Sequence, residues 1–301
     1  MLSVVALVPA LICPAQDTTA TESLDQPLNK QRLWLTGGGV AATATGSFVL
    51  LNEVWYADYA RTPLHSFDDN AEWMQMDKVG HMFTSYQIGS LGYELAEWCG
   101  LKPKPASLIG GSLGLFYLSG LELLDGYSAQ WGFSWGDQTA NAMGTFLFSG
   151  QQFFWNEQRI RPKFSFSGNP LYKCNGEQLG NTFGEQLVKN YNAQTYWLSV
   201  NVDSFLKKKS CIPSWLNVCV GYGADGLISA RGKAFEEVIC NDQSYLRTRQ
   251  FYFSLDADLS KIKTNSKLLG TTLRLLNVIR IPFPTVEYSV NKGWFLHPIY
   301  F

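Results

Sequence analysis

The sequence predicts an α+β protein, with an N-terminal bundle of about four apolar helices followed by an antiparallel β-sheet half carrying one or two amphipathic helices. Three observations predict it. Long stretches between residues 33 and 157 are free of charged side chains, as buried or membrane helices are. Beyond residue 190 the apolar period changes to two, the period of a strand. Only 16% of the 301 residues are charged while 14% are aromatic. A soluble domain has about 25% charged residues, so this balance leans towards a membrane or envelope surface.

Residues 1–16 read as a signal peptide, an apolar run ending in small residues near Cys13–Gln16, and 17–32 as a polar linker. The expected address is therefore export to the cell envelope, at the periplasmic face or the outer membrane, with a multi-pass inner-membrane protein as the alternative. With Lys+Arg 24 against Asp+Glu 25, the net charge of −1 supplies no field for nucleic acid. The expected partners are a membrane or lipid and an envelope protein recruited at a sheet edge. Export permits one or two disulfides, expected among Cys174, Cys211 and Cys240. Cys219, inside a strand-like run, reads as a small buried hydrophobe.

A helical domain is expected over 33–160. Residues 33–51 place Gly38, Ala42 and Gly46 at four-residue spacing, which lets another helix approach. Three more uncharged helices follow at 79–93, 105–121 and 138–156. Their lengths approach the ~20 residues of a bilayer span. Gly, Ser, Gln and Asn dilute them, so a buried bundle and four membrane spans are both open readings. The tryptophans Trp131, Trp135 and Trp155 flank these helices, as an interfacial belt would.

A strand-rich domain is expected over 161–301. Residues 159–176 read as a polar connector, and 178–190 as a short amphipathic helix. Alternation then marks strands at 196–202, 216–222, 250–259 and 286–290, with a fifth at 294–301. Four or five strands are fewer than the eight that an autonomous outer-membrane barrel needs. Between them, 263–280 carries leucines beside Lys267, Arg274 and Arg280, a basic amphipathic helix that either covers the sheet or touches a membrane. Gly221-x-Gly223-x-x-Gly226 follows a strand but lies in no βαβ unit, so it reads as a turn or bulge rather than a dinucleotide site.

The chemistry-bearing residues sit at helix ends. Asp77 and His81, with Lys78 between them, open the second helix at i, i+4. Glu122 and Asp125 close the third, before Gly126. Asp137 and Asn141 open the fourth, with Ser134 as its N-cap. An antiparallel arrangement brings the three pairs into one layer. Carboxylates buried beside an imidazole and a lysine need pairing or a metal. Three readings follow: a divalent metal held by Asp77, His81, Glu122, Asp125 and Asp137, an acid–base centre of these residues with Lys78 and Asn141 acting on a phosphate- or lipid-linked substrate, or an ion-pair network that fixes the bundle. His65, Asp68 and Asp69 read as solvated loop polarity.

These motifs, Asp77-Lys78-x-Gly-His81, Glu122-x-x-Asp125-Gly126 and Ser134-x-x-Asp137-x-x-Ala140-Asn141-x-x-Gly144, resemble the YfiM-like family of bacterial envelope proteins. More distantly they resemble the VanZ-like membrane family. The resemblance implies a lipoprotein or periplasmic envelope protein and spans roughly residues 50–157. It supplies no catalytic role to carry over. On these grounds a non-catalytic envelope component is expected, with a metal-dependent enzyme or binding protein for an envelope lipid or phosphate-bearing precursor as the alternative.

Overall fold

The computed structural model describes residues 27–57, 59–206, 212–233 and 235–301. The expected signal peptide, Cys13 and Cys211 lie outside these residues. The described residues divide into two compact units, one of helices (27–70 and 78–158) and one built on a sheet (71–77 and 159–301).

The helical unit contains α1 (Lys30–Leu51), α2 (Met76–Trp98, of which 78–98 lie in this unit), α3 (Pro103–Ile109), α4 (Leu113–Gly126) and α5 (Trp135–Trp155). The expected helix at 105–121 is therefore two helices, interrupted at residues 110–112. The expected bundle of about four helices is also looser than anticipated, because α1 buries no residue. Contacts with the rest of the unit are made near both ends of α1. Asn29 N–H donates to Cys99 O at 2.8 Å, and Phe48 stacks on Tyr117. The small stripe Gly38–Gly46 meets nothing within 4 Å, contrary to the expected close approach.

The close approaches are made elsewhere. A Cβ built on Gly114 of α4 would fall 2.1 Å from Ser85 O, and one on Gly144 of α5 would fall 2.1 Å from Met82 O. Both glycines let the backbone of α2 lie against its neighbours. The enclosed interior joins an apolar core of Tyr86, Tyr93, Ala106 and Phe148 to a set of buried polar side chains. Ser85, Ser107, Glu122, Asp137 and Asn141 are buried, while Phe116, Leu123, Met143, Phe146 and Phe154 are exposed. Two helical stretches, Lys30–Leu51 and Pro103–Gly126, are long and apolar enough to cross a membrane.

The sheet unit holds six antiparallel strands in the order β1 (Ile160–Phe166), β2 (Gln194–Val200), β3 (Leu216–Asp225), β6 (Thr248–Ala257), β7 (Phe283–Ser289) and β8 (Gly293–Tyr300). A separate hairpin pairs β4 (Glu237–Cys240) with β5 (Gln243–Leu246). The first strand, β1, corrects the expected connector. Its Arg161 and Lys163 disguised it as solvent-facing, yet Lys163 is fully buried. The expected helix at 178–190 is two short ones, α6 (Gly176–Leu179) and α7 (Phe183–Lys189), broken at Gly180 with φ 90°. The basic amphipathic segment forms α8 (Lys267–Leu276).

The sheet turns its polar face inward. Lys163 Nζ lies 2.7 Å from Asp256 Oδ2, which also accepts from Ser199 Oγ at 2.6 Å. The Arg280 guanidinium lies 3.9 Å from the Trp197 ring centre and donates to Thr285 Oγ1 and Tyr300 O, each at 2.8 Å. Trp197 lies over Gly221, where a Cβ would fall 2.7 Å from the ring. The G-x-G-x-x-G spelling thus belongs to a strand that makes room for an aromatic ring. Outward, Val218, Val220, Phe253 and Leu255 are exposed.

The two edge strands are linked by the segment after α8. Phe164 N–H donates to Val278 O at 3.0 Å, and Arg280 N–H donates to Phe164 O at 2.9 Å. Arg280 also reaches Tyr300 of β8, so one segment touches both edges. Rings from β2, β6 and β8 meet inside, with Tyr252 and Tyr300 4.7 Å apart and Trp197 and Tyr252 5.6 Å apart. The sheet is therefore curled around its polar side chains. A disulfide joins Cys174 to Cys240, and Cys99 and Cys219 are free and buried.

The segment 71–77 belongs to this unit although it is followed by a helix of the other. Trp73 N–H donates to Ala230 O at 2.8 Å, and Glu72 pairs with Arg231 at 2.9 Å. Tyr222 donates to Met74 O and Arg249 to Gln75. Trp73, Met74 and Gln75 all have positive φ, a left-handed turn that these contacts hold in place.

Candidate functional site: a buried charged cluster

The cluster is assembled from the ends of three helices and one loop. Helix α5 starts where Ser134 accepts from Asp137 N–H at 3.0 Å, and Asp137 complements the helix dipole. The same Ser134 hydroxyl donates to Asp69 Oδ1 at 2.6 Å, and its backbone N–H donates to Glu122 Oε2 at 3.1 Å. One capping residue therefore ties the loop, α4 and α5 together.

The loop is fixed along the α4–α5 connection by backbone bonds. His65 N–H donates to Gly126 O at 3.0 Å and Phe133 N–H to His65 O at 2.9 Å. Asp69 is thereby carried inward, against the expectation of solvated loop polarity. His65 itself is exposed, and Asp68 holds Asn70 at 2.8 Å through its side chain.

Lys78 lies between two carboxylates. Its ammonium is 2.6 Å from Asp69 Oδ2 and 3.0 and 3.1 Å from the two oxygens of Asp137. One helical turn on, His81 Nδ1 lies 2.9 Å from Asn141 Oδ1 and 3.7 Å from Glu122 Oε1. The other ring nitrogen, Nε2, lies 4.0 Å from Asp137 Oδ1. Asn141 is held from behind, since Ser85 Oγ donates to its backbone carbonyl at 2.7 Å. His81, Glu122, Asp137 and Asn141 are all at most 3% exposed.

Two of the candidate residues also have tyrosine partners. Asp125 accepts from Tyr56 Oη at 2.7 Å. Burial first, then that carboxylate, raises the Tyr56 hydroxyl far above its ordinary value, so it remains a donor. Asp77 accepts from Tyr191 Oη at 2.8 Å within the sheet unit. Lys78, His81, Glu122, Asp137 and Asn141 thus come together in the helical unit, with Asp69 and Ser134 added. Asp69 carries no sequence signal of burial, since Asp-Asp-Asn reads as an ordinary turn.

Chemically, three carboxylates enclose one ammonium and one imidazole. The arrangement can hold a proton on His81 or lock charges in pairs. A cation at His81 and Asp137 would share Asp137 Oδ1 with Lys78. A family model described as "Predicted periplasmic lipoprotein (DUF2279)" matches residues 66–149. The matched segment contains every residue of the cluster and none of the six strands. It supports an exported bacterial envelope protein. No curated protein and no solved structure matches the chain.

Proposed function

We propose that this chain is a membrane-associated, YfiM-like envelope component, more distantly akin to VanZ-like proteins, whose buried charges act as a structural lock rather than a reaction centre. The single observation that carries this reading is Lys78. Its ammonium sits within hydrogen-bond distance of both Asp69 and Asp137, and so offsets part of the cluster's negative charge from within. The hydroxyls nearby are engaged with their neighbours: Ser134 caps α5 and bonds Asp69, and Ser85 bonds the Asn141 carbonyl. The lock holds α2, α4, α5 and the loop in one register.

Membrane association is supported by the two long apolar helical stretches and by the exposed Phe116, Phe146 and Phe154 of the helical unit. Such a unit has its apolar surface where lipid can cover it. Recruitment of a partner at a sheet edge is opposed at β1 by the Val278–Arg280 bridge and at Tyr300 of β8 by the Arg280 side chain.

Metal analysis of the purified, detergent-solubilised protein tests the lock. No stoichiometric metal is expected, and Asp137→Asn and His81→Ala are expected to lower stability. A stoichiometric divalent metal, lost in both variants with the fold retained, overturns it.

One observation favours a second reading, a divalent-cation site. His81 and Asp137 present donors 4.0 Å apart, a separation that one ion with bonds of about 2.0–2.2 Å can bridge. Glu122 lies 3.7 Å from the same imidazole. In that reading the site serves an envelope lipid or phosphate-bearing precursor, and Lys78 is displaced from Asp137 when the ion enters.

A further inference from the structure

We infer that the outer face of β3, β6, β7 and β8 is a lipid-contacting surface, covered by the acyl chains of a bilayer. The inference begins with the polarity of the sheet. Its inner side buries Lys163, Asp256, Arg280 and Glu287, while its outer side exposes Val220 and Phe253 (each 47%) and Leu296 (72%). A sheet in water gains by the opposite arrangement, with apolar side chains inside and charges solvated. A membrane-inserted sheet gains by this one, with strands alternating apolar outward and polar inward.

A second observation concerns the edges. Open strand edges are not tolerated in hydrocarbon, because their N–H and C=O groups find no water there. Here the segment 278–280 bonds Phe164 on β1, and Arg280 reaches Tyr300 on β8. The interior between them is filled by Trp197, Tyr252 and Tyr300 rather than by an aqueous channel.

Strand length agrees for the two central strands, with β7 and β8 shorter at seven and eight residues. The central strands β3 and β6 have ten residues each, within the range of about 9–11 for a tilted membrane strand. Beside them, α8 exposes Leu268 and Leu275 next to Arg274, the composition of a helix lying at a lipid headgroup boundary. Six strands form no pore, so the surface anchors rather than conducts. A protein partner would account for an apolar patch. It would not account for a charged interior enclosed behind that patch.

The test uses the full chain in phosphatidylethanolamine–phosphatidylglycerol vesicles containing doxyl-labelled phosphatidylcholine. Val220→Cys, Phe253→Cys and Leu296→Cys are each labelled with an environment-sensitive fluorophore, with the unsubstituted chain setting the background. Asp242→Cys, at the tip of the β4–β5 hairpin, serves as the aqueous control, and Phe146→Cys reports on the helical unit. Doxyl lipid is expected to quench the three sheet positions while iodide does not, with the reverse at Asp242. Iodide quenching at the sheet positions, or disulfide cross-links between two chains through them, overturns the inference. Doxyl quenching at Phe146 in that event leaves the membrane association of the helical unit standing. As a second measure, Phe253→Arg is expected to release the sheet positions from doxyl quenching. Unchanged quenching in that variant overturns the inference as well.

Discussion

Lys163 and Asp256 form an ion pair of 2.7 Å in which neither side chain is exposed to solvent. Lys163 also donates to Ala257 O at 2.8 Å, and Asp256 accepts from Ser199. Removing one partner strands a buried charge and costs about 3–5 kcal/mol, whereas replacing both with apolar groups costs far less. Lys163→Met and Asp256→Leu are each expected to destabilise the sheet unit strongly, and the double variant less than their sum. Denaturant unfolding in detergent measures the coupling. Strict additivity would show that the pair is not a unit.

The pair also marks what alternation reveals and what it hides. Period two exposed the strands at β2, β3, β6 and β7 and their two contrasting faces. It does not say which face turns inward, and here the polar one does. That same inversion hid β1, because Arg161 and Lys163 look like solvent residues in a connector. In the helical unit, Ser134 three residues before Asp137 was legible as a cap, since N-capping is local chemistry. Asp69 was not, because its burial depends on a loop laid along the α4–α5 connection. The affiliation of residues 71–77 with the sheet unit rests on contacts with Ala230, Tyr222 and Arg249, more than 140 residues away in sequence.

Reduction of the Cys174–Cys240 disulfide is expected to loosen the region around Leu171 and Leu179, which pack with Cys240. The two cysteines are 66 residues apart, and closing a loop of that length restrains the unfolded chain by about 4 kcal/mol. Unfolding with and without reductant measures the loss. The Cys174→Ala, Cys240→Ala double variant should match the reduced protein and respond no further to reductant.

Acid should fray α7 through Glu185. Its carboxylate accepts from the N–H groups of Asn181 at 2.7 Å and Thr182 at 3.2 Å, which hold it below its ordinary value of 4.5. The folded state therefore binds this proton less readily than the unfolded chain. Stability from this group is complete above about 4.5 and is lost as pH falls through the folded value. Relative to the intrinsic exchange rate at each pH, protection of the amides at Gln186–Lys189 is expected to fall on acidification. In Glu185→Gln that pH dependence should flatten, and a profile identical to the parent would refute the capping role.

Two glycine substitutions should part company. Gly144→Ala places a Cβ 2.1 Å from the Met82 backbone oxygen, which cannot move aside without shifting α2. Overpacking of this kind costs about 1–3 kcal/mol or more. Gly38→Ala meets nothing within 4 Å, and alanine favours the helix by about 0.5–1 kcal/mol. Thermal unfolding should therefore fall for the first and hold or rise for the second. Equal losses would show that α1 packs on something through its small stripe.

The role of Lys78 is the sharpest test of the cluster. In the lock, its ammonium is the charge that lets Asp69 and Asp137 lie inside the helical unit, and Ser134 and Asp69 then fasten the loop. Lys78→Met keeps the stem and removes the charge, leaving two carboxylates that face each other across the vacated position. The expected cost is about 3–5 kcal/mol, the magnitude for breaking one side of a buried pair. Asp69→Asn should cost less, because the amide oxygen can still accept from Ser134 Oγ and one carboxylate still meets the lysine. Combining Lys78→Met with Asp69→Asn should recover part of the loss. If millimolar divalent cation restores the stability of Lys78→Met, the lysine is standing where an ion belongs, and the cation site becomes the better reading. If Lys78→Met unfolds at the parent's temperature, the ion pairs are not what holds α2, α5 and the loop together.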